Sequence, residues 1–497
     1  MKRIAAALAG LSLLGPAPAH AATAPIGWTA CSDPDLHGLQ CGELTVPLDH
    51  DQPDGPKITI ALDRARHTGT KGYQGVLLVN PGGPGGGGRN YAADVAAGLP
   101  AGLRQAYDVI GFDPRGVGGS RPALSCDKDY FKPVRPDYVP RAPGEEQRWL
   151  DRSKDYAEAC GRKYGPLLEH MKTLDVARDM ESLRIALGQD KINYFGASYG
   201  TYLGAVYATL FPGRVRRMVL DSNVRPSGVW YDDNLDQDYT FDASMRSFFG
   251  WTAKYDSVYH LGHTGAAVQD GYYALRARLG TAPAGGVVGP DELDDTWQIG
   301  AYLAPAWPAL AAAWSRLVVH DDPGYLVDRY RAWGAAKEGE FAVYNAVQCT
   351  DTAWPRQWEV WKRDTDSIYR KAPYQAWGNA WFNAPCLYWP AKPGTPLTIG
   401  GGKRLPKMLL FQATLDAATP FKGGLEMHRL LRGSRLVIED GGRTHAVVQR
   451  GNGCVDEKFD AYLATGRLPA DLTHCRRLPD PAPLPSSSTE RRGTVIR

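Results

Sequence analysis

The stretch KINYFGASYGTYLGAVYATLFP, Lys191 to Pro212, constrains the fold most. A short apolar run with the content of a buried strand ends on Ser198, and a helical pattern rich in small residues begins at once. That helix stops before Pro212. Gly196 and Gly200 flank the serine where side chains would collide with strand and helix in a tight turn. The same rhythm recurs along the chain. GVLLVNPGGPGGGG runs an apolar strand into a glycine loop, YDVIGFDPRGVGGS ends another strand at Asp113, and VRRMVLDS, KMLLFQATLD and SRLVIED follow. TLDVARDMESLRIALGQD carries Leu174, Ala177, Met180, Leu183 and Leu187 at helical spacing. Strands alternating with helices predict an α/β fold, a mostly parallel central sheet with helices on both faces.

The rhythm is interrupted from about Ser222 to Gly402. That region is rich in tryptophan and tyrosine and holds helical stretches such as YLAPAWPALAAAWSRLV, which predicts a largely helical cap insertion over the sheet. Most of its aromatic residues are expected in the core. The sheet domain is accordingly expected over 22–221 and 403–478, with the cap over 222–402. The Pro/Ser-rich, charged segment 479–497 is expected to be a disordered tail.

Residues 1–21 read as an export signal. Lys2 and Arg3 start it, Ile4 to Leu14 form its apolar run, and Ala19-His20-Ala21 offers a small-x-small site, placing cleavage near Ala21/Ala22. The run is too short to span a bilayer, and no later segment is long and apolar enough. Eight cysteines suit an exported chain with disulfides. Taken as nearest neighbours they couple Cys31 with Cys41, Cys126 with Cys160, Cys349 with Cys386, and Cys454 with Cys475. No C-x-x-C or H-x-x-x-H spacing accompanies them, so no metal is expected. A net charge of +3, with no basic run interleaved with aromatics, argues against a nucleic-acid partner. The expected state is a secreted monomer.

A serine hydroxyl attacks a carbonyl only when a base takes its proton and donors stabilise the oxyanion. In a doubly wound sheet such groups gather at the carboxyl ends of strands. Ser198 lies at one such end. Asp416, just past KMLLFQATLD, is the candidate acid, and His445, in the glycine-containing loop after SRLVIED, the candidate base. Two other histidines follow Asp416: His428 sits in the apparent helix GLEMHRLLRG, and His474 abuts Cys475. The order Ser198, Asp416, His445 is that of the α/β-hydrolase fold, and the cap explains the long gap between the first two. The Tyr199 N–H is one expected oxyanion donor. Gly83 of NPGGPGGGG is the other, with Gly82 as its alternate, since Pro84 has no N–H. This loop lacks the lysine of a P-loop and the G-x-G-x-x-G spacing, so no nucleotide cofactor is expected. Asp113 and Arg115 are expected to lock a loop that supports the oxyanion loop.

Together NPGGPGGGG, GFDPRGVGGSRP, GASYGTYLGAVYATLFPGRVRRMVLDS, QCTDTAWP, LDAATP and GGRTHAVV resemble the secreted tripeptidyl aminopeptidases of actinomycetes. These are α/β-hydrolase serine peptidases related to proline iminopeptidases. The resemblance runs from about Ile26 to Cys475. It implies release of tripeptides from peptides with a free N-terminus, with Ser198 as nucleophile, Asp416 as acid, His445 as base, and Gly83 and Tyr199 as oxyanion donors. Asn80-Pro81 stands where proline iminopeptidases have a histidine before Gly-Gly-Pro-Gly, which favours the tripeptidyl branch. A serine carboxylesterase or a proline iminopeptidase-like hydrolase on the same scaffold is the alternative. An exopeptidase must measure distance from the α-ammonium, and cap carboxylates would do so. Asp351, beside Cys349, ranks first, ahead of Asp232, Asp233, Asp236 and Asp238 of WYDDNLDQDY.

Overall fold

The computed structural model describes residues 25–400 and 405–484, so the expected export signal lies outside the described residues. Among these, ten strands form one sheet in the order β1-β2-β3-β5-β4-β6-β7-β8-β9-β10. They are β1 (Thr29–Ala30), β2 (Gln40–Pro47), β3 (Lys57–Ala65), β4 (Gly75–Asn80), β5 (Tyr107–Phe112), β6 (Ile192–Ala197), β7 (Val215–Asp221), β8 (Leu409–Ala413), β9 (Arg435–Asp440) and β10 (Thr473–Arg476). From β5 to β10 every neighbouring pair is parallel, whereas β1, β2 and β3 join antiparallel at one edge.

Strand side chains alternate between two cores. Val76 and Leu78 of β4 enter one, with Met180 of the helix Thr173–Ala186 and Leu203 of the helix Tyr199–Leu210. Leu77 and Val79 enter the other, with Val95 of the helix Arg89–Gly98 and Phe459 of the helix Gly453–Thr465. Burial on both faces is why these strands read as continuous apolar runs.

Between β7 and β8 the described chain is helical. It builds a separate core around Phe248, Tyr272, Trp297, Trp307 and Trp314. Ala417 and Ala418, from the loop after β8, pack into that same core. No described helix is long and apolar enough to cross a membrane. The bonded cysteines are Cys31–Cys41, Cys126–Cys160, Cys349–Cys386 and Cys454–Cys475.

The chain departs from expectation at its tail. Where the composition reads as disorder, the described part, 479–484, lies against the cap: Trp251 Nε1 donates to the Pro481 carbonyl (3.0 Å) and the Leu484 N–H to the Tyr259 hydroxyl (3.0 Å). Prolines lack N–H groups to satisfy, so a few carbonyl acceptors suffice to dock such a segment.

Asp113 and Arg115 are fully committed to the scaffold. Asp113 accepts the N–H groups of Gly88 (3.0 Å) and Gly119 (2.9 Å), which ties the end of the glycine loop to β5. Arg115 is buried and binds both oxygens of Asp179 at 2.7 and 2.8 Å.

Candidate active site

β6 runs out at Ala197, and Ser198 takes φ 58° and ψ −128° before the helix Tyr199–Leu210 begins. L-residues avoid that region at a cost of about 1–3 kcal/mol, so neighbours must hold the turn. The Ser198 N–H donates to the Asp221 carbonyl of β7 (3.0 Å), and its carbonyl accepts from the N–H (2.9 Å) and hydroxyl (2.6 Å) of Thr201. The flanking glycines are required by close approach. A Cβ on Gly196 would lie 2.4 Å from the Gly200 carbonyl oxygen, and one on Gly200 would lie 2.8 Å from that of Asn80.

The loop after β4 lies directly on this turn. At Gly82 (φ 103°) a Cβ would fall 2.7 Å from both the Ala197 carbonyl oxygen and Ser198 Cβ. The Gly82 N–H is already taken by the Asn80 side-chain oxygen at 3.0 Å. The Gly83 N–H has no acceptor among the described residues, and Gly83 lines the same cavity as Ser198 and Tyr199. Asn80 thus orients the loop and leaves Gly83 as the available donor. Gly82→Ala is expected to push this loop off the Ser198 turn and, with Gly83 proposed below as an oxyanion donor, to lower kcat by about 10²–10³-fold, the usual cost of losing such a donor. A folded G82A enzyme turning over within two-fold of wild type would show that the contact does not set the site.

At the same end of the sheet Asp416 is buried beneath four donors. Its Oδ1 accepts the N–H groups of Ala418 and Thr419 (3.0 Å each), and its Oδ2 accepts the Thr419 hydroxyl (3.0 Å). His445 Nδ1 lies 3.0 and 2.9 Å from the two oxygens. Burial alone would push this carboxyl up, but the adjoining His445 and the hydrogen bonds hold it below its ordinary value. A carboxylate partner places the ring hydrogen on Nδ1 and leaves Nε2 as acceptor. The His445 N–H donates to the Tyr302 carbonyl (2.8 Å) at the end of the cap helix Pro290–Tyr302, using one of the carbonyls a helix terminus leaves unpaired. The Tyr302 ring meets the imidazole edge-on, with centroids 5.4 Å apart. The other two histidines lie in side roles: His428 bonds Ser434 and Asp471, and His474 pairs with Asp440 on the sheet edge.

Ser198, Gly83 and Tyr199 open into a cavity of about 340 Å³ roofed by the cap. Its wall carries Trp230, Phe241, Tyr302 and Tyr344, and two carboxylates held by guanidinium groups. Asp233, on the helix Tyr231–Lys254, binds Arg225 Nε at 3.2 Å, and burial pushes its carboxyl up to about 7. Asp295, on the neighbouring helix Pro290–Tyr302, accepts from Arg135 (2.6 Å) and the Tyr138 hydroxyl (3.1 Å).

Asp351 is not where the sequence placed it. It faces inward behind Tyr199 and accepts the Thr173 N–H (2.7 Å), the Thr173 hydroxyl (2.6 Å) and Trp230 Nε1 (3.0 Å). It does not line the cavity that Ser198 opens into, whereas Asp233 and Asp295 do. Within the acidic run, Asp236 pairs with Arg225 and Lys422, Asp238 is buried against Asn379, and Asp232 is exposed; Asp233 is the member on the cavity wall. Asp295 was not singled out in the sequence. Its run, DELDD, looks like any acidic first turn of a helix.

A profile of the alpha/beta hydrolase fold matches residues 75–277, and one described as TAP-like protein matches residues 372–475. The chain is 44% identical over 481 residues to a tripeptidyl aminopeptidase of Streptomyces lividans, covering 94% of this chain and 89% of that one. It is 32% identical to the serine protease Hip1 of Mycobacterium tuberculosis, covering 91% of each. It is also 32% identical to carboxylesterase B of Mycobacterium tuberculosis, covering 90% of this chain and 89% of that one.

Proposed function

The chain belongs to the tripeptidyl aminopeptidase family of α/β-hydrolase serine peptidases, and on that premise we propose that Ser198 attacks the carbonyl of the third residue of a peptide with a free N-terminus. His445 Nε2 takes the hydroxyl proton, and Asp416 stabilises the imidazolium that forms. The N–H groups of Gly83 and Tyr199 bind the oxyanion. His445 then gives its proton to the departing amine, leaving a tripeptidyl ester on Ser198. Water, deprotonated by the same histidine, releases the tripeptide. The eight paired cysteines suit an oxidising compartment and support export, with cleavage near Ala21/Ala22.

The observation that carries the substrate class is the roofed cavity itself, whose wall offers carboxylates and unpaired amides together. Asp233 and Asp295 sit on packed helices and face it. Asp351 has no part in this reading. The side-chain amides of Gln298 and Gln375 line the same wall and have no hydrogen-bond partner among the described residues. A peptide backbone fills both needs: its α-ammonium pairs with the carboxylates, and its N–H and C=O groups meet the amides. The similarity to a carboxylesterase keeps an ester substrate as the second reading.

One substrate panel separates them: a free tripeptidyl amide, its N-acetylated form, a single-amino-acid amide and a short-chain ester. The free tripeptidyl amide is expected to be the best substrate. Asp233→Asn and Asp295→Asn are each expected to raise its KM about 10–100-fold, the worth of a hydrogen bond to a charged group, while leaving the acetylated substrate unchanged. Burial lifts the Asp233 carboxyl to about 7, so its charge develops as pH rises through that value. KM for the free substrate should therefore pass through a minimum between about pH 7 and 8, falling as Asp233 ionises and rising again as the α-ammonium loses its proton near 8, with no such trend for the acetylated one. Equal turnover of free and blocked substrates would sink amine recognition, and turnover of the ester alone would favour the esterase.

A further inference from the structure

β7 ends at Asp221 and Ser222 follows it, and the steps above leave both without a role. Both are completely buried. The Asp221 carbonyl accepts the Ser198 N–H at 3.0 Å, so its backbone belongs to the nucleophile turn. Its carboxylate reaches the other way. Oδ1 accepts the Val447 N–H (3.1 Å) and Oδ2 the Val448 N–H (2.8 Å). Ser222, at φ 62°, donates its N–H to Phe411 of β8 (3.0 Å), and its hydroxyl accepts the Ala446 N–H (2.8 Å). The three N–H groups that follow His445 in the chain thus end on two consecutive residues. The same two residues hold the nucleophile turn and β8.

Two backbone donors would be served as well by neutral acceptors. A carboxylate sealed from water is expensive unless its charge meets a cation. Asp221 has no lysine or arginine in an ion pair with it among the described residues. The titratable groups facing it are His445 and Asp416 from the loops after β9 and β8, and Tyr91 from the helix Arg89–Gly98, itself near Arg450 and Asp94. Of the groups that act on Asp221 directly, His445 is the one that becomes a cation. Burial pushes the Asp221 carboxyl up to about 6, while the Val448 and Val447 N–H groups and His445 pull it back.

We propose that Asp221 is a positioning residue for the base: it fixes the His445 loop against the nucleophile turn and adds a second negative charge that favours the imidazolium. Ser198 loses its proton to His445, Asp221 loses and gains none, and its carboxylate acts through the loop and across space. The inference rests on the roles proposed above for Ser198 and His445, but on no particular substrate.

Asp221→Asn tests it, made in the whole exported enzyme. Asparagine keeps the size, loses the charge, and turns an NH2 toward one of the two N–H groups. Three measurements are read: the rate at which a small fluorophosphonate labels Ser198, kcat and KM on a free tripeptidyl amide, and the acid limb of kcat/KM. Labelling and kcat are expected to fall together by about 10–100-fold, a part of the roughly 10²–10⁴-fold that base catalysis contributes, with KM nearly unchanged. The acid limb is expected to move to lower pH, because the imidazolium has lost a stabilising charge. Ser222→Ala leaves that charge in place but also removes a hydrogen bond that helps hold the Asp416 carboxyl down; it should lower kcat and labelling more modestly and move the limb less than Asp221→Asn does. A folded Asp221→Asn enzyme with wild-type labelling and an unmoved limb overturns the proposal. If that variant does not fold, Asp221→Glu decides, since it keeps the charge and displaces the Val447 and Val448 N–H groups: reduced labelling at unchanged KM upholds the positioning, and wild-type labelling overturns it. Failure of the substrate reading is recognised separately, as wild-type protein that reacts with the fluorophosphonate but spares tripeptidyl amides.

Discussion

Ser198→Ala is expected to remove essentially all turnover, a loss of about 10⁴–10⁶-fold in kcat, while the fold and substrate affinity survive. The variant deletes one atom, and that atom makes no hydrogen bond among the described residues. The backbone at residue 198 is held by the Asp221 carbonyl on one side and by Thr201 on the other, and neither contact involves the hydroxyl. Alanine meets the same unfavourable φ of 58° as serine, so the strain of the turn is unchanged and Tm should move little. What remains is the oxyanion loop and the cavity, which bind substrate without a nucleophile. The check is kcat and KM on the free tripeptidyl amide, together with the loss of fluorophosphonate labelling. Activity within 10²-fold of wild type would remove Ser198 from the mechanism.

The parts of the molecule that were legible in the sequence share one property: local chemistry and tertiary role demand the same residues. Gly196 and Gly200 are small because the turn is tight, and the turn is tight because Ser198 projects from it. β4, β6 and β8 are buried on both faces, so each reads as an apolar run followed by a loop. The two edges of the sheet carried no such signal. β2, QCGELTVP, is half exposed, and β10 is the four-residue THCR, whose place beside β9 depends on pairing rather than composition. Carboxylates were harder still. Asp351 lies next to a disulfide, as expected, yet its direction is set by the Thr173 N–H and the Trp230 indole, both far away in sequence. Asp295 and Asp221 gain their meaning from partners 160 and 226 positions distant in the chain. Long-range pairing of this kind leaves no periodic trace. The separation between Asp416 and His445 is shorter, and both follow recognisable strands, which is why that pair could be named in advance.

Asp416→Asn is expected to lower kcat by about 10³–10⁴-fold with KM within a few-fold, and its neighbours dictate why. Asparagine has one oxygen and one NH2 for the two carboxylate positions. Oδ1 receives both the Ala418 and Thr419 N–H groups, so the oxygen must stay there. The NH2 is then left at the Oδ2 position, facing the Thr419 hydroxyl, which accepts, and His445 Nδ1. An NH2 facing Nδ1 demands an unprotonated Nδ1, which puts the ring hydrogen on Nε2 and leaves the base unable to take the serine proton. Geometry is preserved and function is lost through the wrong tautomer. Stability gives a second readout. The Asp416 carboxyl is held below its ordinary value in the fold, so its contribution is present above the unfolded-state value near 3.9 and disappears as pH falls through the lower folded one. The Tm difference between wild type and Asp416→Asn should therefore be largest near neutrality and close in acid. A variant that keeps more than about a tenth of wild-type kcat would require another carboxylate to serve His445. Asp221, buried with its carboxylate on the Val447 and Val448 N–H groups of the His445 loop, is the residue to substitute next.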